Sequence, residues 1–94
     1  MINIKIESER IIMNIQEIIN SNEPIRSALI KKIQNEVWND NFEHNSKLII
    51  ALEDLVYNLD FYEPDENKRK EDFSFYGEKK LKEILNQFLI NNSN

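Results

Sequence analysis

Lys47–Leu59 reads KLIIALEDLVYNL, and its spacing decides the fold. Leu48, Ile49, Leu52, Leu55, Val56 and Leu59 recur every three or four residues, so a helix gathers all of them on one face. Ser46 or Asn45 supplies a side-chain oxygen that can cap the first free N–H groups of such a helix. Leu52 lies at the centre of the stripe and marks the expected core.

The same period extends in both directions. Downstream, Leu81, Ile84, Leu85, Phe88 and Leu89 predict a helix over Glu78–Ile90, opening near Gly77 and ending in the polar tail Asn91–Asn94. Lys79, Lys80 and Lys82 stand near its start, where the helix dipole mildly disfavours positive charge. Upstream, Ile25, Leu29, Ile30, Ile33, Val37 and Trp38 predict a buried face over Glu23–Asp40. Asn22 caps that helix, and Pro24 falls in its first turn, where a missing N–H does no harm.

Ile11, Ile12, Ile15, Ile18 and Ile19 predict a first helix over Ser8–Asn20 with Ser8 as its cap. Ile2, Ile4 and Ile6 alternate with Asn3 and Lys5, too short a run for a sheet, and read as an extended arm or the helix's first turn. The breaks are Asn20–Asn22 and Asn39–Asn45. Four amphipathic helices with short first and second connections imply an all-α fold, an antiparallel four-helix bundle forming one domain over residues 1–94.

The third connection is different. Tyr57–Glu78 reads YNLDFYEPDENKRKEDFSFYGE and holds six of the nine aromatic residues. Seven acids against three bases between Asp60 and Glu78 account for four of the chain's five net negative charges. At 17 residues, Asp60–Tyr76 is longer than a compact domain needs, and such loops usually carry function or contain a turn of their own. Trp38 and Phe88 fall on apolar stripes, and Tyr57 lies close to one, half core and half rim. Phe61, Tyr62, Phe73, Phe75 and Tyr76 fit no single stripe. Either they fold the loop back onto the bundle or they meet a partner, since aromatics beside charges are what interfaces select as anchors.

Composition narrows the function. Ninety-four residues suffice for one self-supporting core, burying roughly 60–65% of the unfolded surface. Cysteine is absent, which excludes disulfides and thiolate chemistry. No apolar run approaches the roughly 18–20 residues that cross a bilayer. The segment MINIKIESER carries acids and lacks the apolar core of a secretory signal, so the expected location is the cytoplasm. A net charge of −5 argues against nucleic acid as the partner, because a phosphate backbone requires a basic face. An acidic face suits a basic protein and speeds the encounter with it.

No catalytic set emerges. His44 is the only histidine and stands beside Glu43 and Asn45 in a predicted connection, where it reads as a solvated surface residue. The acids around Asp65–Asp72 lack the spacing and central glycine of a calcium loop, and no metal or cofactor is expected. Glu53 and Asp54 point about 100° apart on a helix and do not converge on one atom. Lys68, Arg69 and Lys70 are flanked by Glu66, Glu71 and Asp72, which neutralise them locally.

The stretch LEDLVYNLDFYEPDENKRKEDFSFYGEKKLKEIL resembles small bacterial immunity proteins of the colicin-D kind. It is similar also to relatives that protect cells from contact-dependent and other polymorphic toxins. The likeness lies in an aromatic pair, Glu63–Pro64–Asp65, a basic residue, an acid-rich loop and a final helix with leucine spacing, and covers about 40% of the chain, Leu52–Leu89. It implies a compact helical bundle that occludes the active site of a nuclease toxin, often one that cleaves tRNA, with acids standing in for RNA phosphates. Tyr62, Glu63, Asp65, Arg69 and Asp72 match the motif by position, and Pro64 and Gly77 match as turn-makers. Asp60, Tyr62, Glu63, Asp65, Glu66, Arg69, Glu71, Asp72 and Tyr76 form the candidate partner-binding set. The partner expected on this basis is a cognate basic toxin domain bound by a monomer. Two rivals stand beside it: another acidic interaction module, such as an adaptor, regulator or homo-oligomer, and a small enzyme using carboxylates.

Overall fold

The computed structural model describes residues 4–39 and 47–92, with side chains from residue 9 onward. It is all-α among these residues: α1 (Ile4–Asn20), α2 (Ile25–Asn39), α3 (Lys47–Leu59), the single-turn α4 (Glu66–Arg69) and α5 (Glu78–Asn92). The four long helices close a ring of neighbours, in which α1 and α3 each pack against both α2 and α5.

The apolar stripes meet inside this ring. Ile11, Ile15 and Ile18 of α1 join Ile30, Ile33 and Val37 of α2. The expected inner face of α3 is buried at Ile49, Leu52, Leu55, Val56 and Leu59, and α5 adds Leu81, Leu85 and Phe88. Leu52, only 1% exposed, lies in this core.

Three expectations are corrected. The first helix begins at Ile4, so Ser8 is interior to it rather than its cap. The second helix begins at Ile25, with Pro24 in the turn just before it, although the Arg26 N–H already bonds the Asn22 carbonyl at 2.9 Å. Its buried face is Arg26, Ile30, Ile33, Gln34 and Val37, which leaves Ile25 and Trp38 exposed.

A polar–apolar swap explains that last shift. Arg26 and Gln34 enter the interior because each finds backbone oxygens there: Gln34 Nε2 donates to the Val56 carbonyl of α3 at 3.0 Å. The final helix runs two residues beyond Ile90, where Asn92 Nδ2 donates to the Phe88 carbonyl at 2.8 Å and satisfies a terminal acceptor. His44, the expected break at Asn39–Asn45 and the Ser46 or Asn45 cap lie largely or wholly outside the described residues.

Candidate functional site

The connection from α3 to α5 is ordered by its own aromatic residues. The Tyr76 N–H donates to the Phe61 carbonyl at 3.0 Å, and the Glu63 N–H donates to the Tyr76 carbonyl at 2.9 Å. This makes an isolated parallel bridge between Tyr62 and Tyr76, whose ring centroids stand 6.3 Å apart. The Tyr76 hydroxyl donates to the Asn58 carbonyl at 2.7 Å, fastening the far side of the loop to the end of α3. Tyr76 is 8% exposed and belongs to the core. Burial pushes its phenol up to about 12.

Between these two bridge positions the chain makes its own turn of helix. Asp65 caps α4, accepting from the Asn67 N–H at 2.9 Å, and Glu63 Oε2 accepts from the Asp65 N–H at 3.2 Å. Arg69 then reaches back from α4 to the Glu63 carbonyl at 2.7 Å. Its guanidinium also lies on Gly77, where a Cβ would come within 3.0 Å of it. A side chain at position 77 would require the guanidinium to give way by a few tenths of an ångström, and the backbone angle there is not unusual. Asp72 Oδ1 accepts from the Ser74 N–H at 2.7 Å, and the tight turn that follows presents Phe73 fully to solvent.

A second set of contacts ties the loop to α2 and α5. The Tyr62 hydroxyl donates to Glu23 Oε2 at 2.6 Å. Burial, with that hydrogen bond adding to it, pushes the Tyr62 phenol up to about 12. At Glu23, burial works against ionisation, but hydrogen bonds from Ser27 and Tyr62 outweigh it and hold the carboxyl below its ordinary value. Arg26 Nη1 faces Glu78 Oε1 at 3.4 Å. Glu78 also receives Lys82 at 3.0 Å, and the Lys82 contact leads in lowering its carboxyl below the ordinary value. Glu23, Arg26, Tyr62, Arg69 and Glu78 enclose a cleft of about 240 Å³ in which the two bases and two acids balance.

The nine candidate residues therefore divide. Asp60, Glu66, Glu71 and Asp72 are exposed. Asp65 is exposed too, yet its carboxylate is committed to the α4 cap. Tyr62, Glu63 and Arg69 are half-buried and hold the loop, and Tyr76 is inside the core rather than on the surface. Tyr57, expected at the edge of the core, is 64% exposed.

Arg26 escaped the sequence reading, although its four-residue step to Ile30 and seven-residue step to Ile33 place it on the apolar stripe. Phe73 carried no signal that distinguished it from Phe75, which is half-buried. Among the described residues, no three acidic or histidine side chains gather closely enough to hold a metal ion, and no helix is long and apolar enough to cross a membrane. Comparison of the chain with protein-family models, with curated proteins and with solved structures finds no match.

Proposed function

We propose that this chain is a cytoplasmic immunity protein that binds a cognate bacterial toxin, a nuclease of the tRNA-cleaving kind, and occludes its active site. One observation carries the reading: a loop rich in acids is fixed by its own hydrogen bonds while Asp60, Glu66, Glu71 and Asp72 remain exposed. Fixed outward carboxylates suit a basic, phosphate-binding cleft, because the entropy of ordering them is spent before the partner arrives. The residues that match the immunity motif are those that fasten this loop, which is what a shared framework with varied surface charge requires. In this reading the four long helices form an antiparallel bundle, the chain acts as a monomer, and it inhibits by stoichiometric binding with no catalysis of its own.

The test is co-expression with the product of the neighbouring gene, followed by co-purification and an assay of tRNA cleavage. The expected result is a one-to-one complex without nuclease activity. No complex at micromolar concentrations, together with undiminished cleavage, would overturn the proposal.

A further inference from the structure

The outer face of α3 carries a feature that the fold does not use. Ile50, Tyr57 and Phe61 are separated by seven and then four residues, two helical turns and then one, and so run in a row along α3 and just past its end. Ile50 is 57% and Tyr57 64% exposed, although the opposite face of the same helix already fills the core. The Tyr57 ring meets Phe61 edge-on with centroids 5.9 Å apart, and Phe61 in turn packs against the core. Tyr57 is therefore propped from beneath while remaining open to solvent. A depression of about 570 Å³ runs along Ile50 and Tyr57 and is lined also by Lys47, Ala51, Glu53 and Asp54. Asp60, three residues beyond Tyr57, is exposed as well.

We propose that this row is a protein-docking surface whose occupant is an apolar cleft rimmed by lysines or arginines on the basic toxin assigned above as partner. The proposal rests on that assignment and places the anchoring contacts on α3, beside the acidic loop. Tyrosine covers a large area while losing only two side-chain torsions, and the Phe61 contact reduces that loss further. The acids select the occupant. In a symmetric contact between two copies the same patch meets itself, so Glu53, Asp54 and Asp60 would meet three acids of the other copy with only Lys47 to offset them. A basic partner turns those charges into attraction and draws in the apolar anchors at the centre.

The experiment measures binding of the purified nuclease domain encoded by the adjoining gene to the full chain and to Tyr57→Ala, Ile50→Ser and the combined Glu53→Gln, Asp54→Asn, Asp60→Asn variants. Thermal melts of each control for folding, and these exposed positions are expected to leave the melts near the parent's. Tyr57→Ala is expected to raise Kd at least about 30-fold through faster dissociation, with a smaller rise for Ile50→Ser. The charge variant is expected to slow association, and the deficit to shrink with added salt. If the parent binds and both apolar variants bind within about twofold of it, the docking surface is elsewhere and the immunity reading survives alone. If the parent does not bind, both fall. A dimer of the isolated chain that Tyr57→Ala dissociates, seen by sedimentation, would make the face a self-interface and overturn the proposal.

Discussion

Arg26 Nε of α2 donates to the carbonyl oxygen of Ile18, two residues before the end of α1, at 3.1 Å. The same guanidinium donates through Nη2 to the Ile19 carbonyl at 3.1 Å and to the Ser21 carbonyl. Helix ends leave their last carbonyls without intrahelical partners, and here a side chain from the next helix supplies them, Ile18 sharing its carbonyl also with the hydroxyl and amide of Ser21. The arginine is only 3% exposed, so its stem also covers interior surface.

Arg26→Ala is therefore expected to lose on the order of 3–5 kcal/mol of stability, through unmet carbonyls and an uncovered interior. Arg26→Lys should recover only part, because one ammonium group cannot span the carbonyls that a planar guanidinium reaches together. Urea midpoints check this. A parent-like midpoint for the alanine variant would show that the carbonyls find other partners.

Leu52→Ala should cost about 2–5 kcal/mol, through lost burial and the cavity left among α3's neighbours. Glu66→Ala, at an exposed position, should cost under about 0.5 kcal/mol. Equal losses in denaturant midpoint would contradict the assignment of the core.

These two sites also mark where the sequence was legible. Apolar periodicity located the long helices, and on α3 it identified every residue of the inner face, because a helix buried along one stripe writes that stripe in leucine and isoleucine. It failed on α2 for the complementary reason. Arg26 and Gln34 are polar by type but pack inward because backbone oxygens of α1 and α3 await them, and those oxygens belong to other segments. The same limit applies to the loop. The residue types announced an acidic, aromatic surface, but which aromatic turned inward depended on hydrogen bonds such as Tyr76 to Asn58, formed across 18 positions.

Alkali should expose those buried phenols. Tyr62 and Tyr76 are both held near 12 against an ordinary 10.0, so the folded chain keeps their protons longer than the unfolded chain does. Their contribution is intact below pH 10.0 and is lost as pH rises through about 12, since over that window the unfolded state binds fewer protons. Denaturant midpoints measured upward from about pH 8 should begin to fall near the ordinary tyrosine value. Tyr76→Phe should flatten part of that fall and cost about 1 kcal/mol at neutral pH, through the lost bond to the Asn58 carbonyl. A parent curve that stays level to about pH 12 would contradict the burial of Tyr76 and the hydrogen-bonded, half-buried setting of Tyr62.

Neutralising Glu66, Glu71 and Asp72 together, as Gln, Gln and Asn, should slow association with the proposed toxin partner while leaving the melting temperature near the parent's. Asn at position 72 keeps an oxygen for the Ser74 N–H, so the turn survives the loss of charge. The deficit should shrink as salt rises, because exposed charges act over only about 8 Å at 0.15 M ionic strength. Tyr62→Ala should differ, lowering stability by about 1–3 kcal/mol, because it removes both packing against the core and the bond to Glu23. Association kinetics at two ionic strengths, run beside thermal melts, separate the two behaviours. An unchanged on-rate for the triple variant would assign those acids no role in the encounter.

The loop is fastened largely through main-chain atoms: the Phe61, Glu63 and Tyr76 carbonyls and the Glu63 and Tyr76 amides, with Arg69 donating to the Glu63 carbonyl. None of these fixes what stands at positions 66 or 71, whose side chains point away from the framework. Heredity can therefore rewrite the charge pattern of this face one codon at a time without putting the fold at risk. If the proposed toxin partner changes, new surface letters are needed, and this scaffold leaves room to try them.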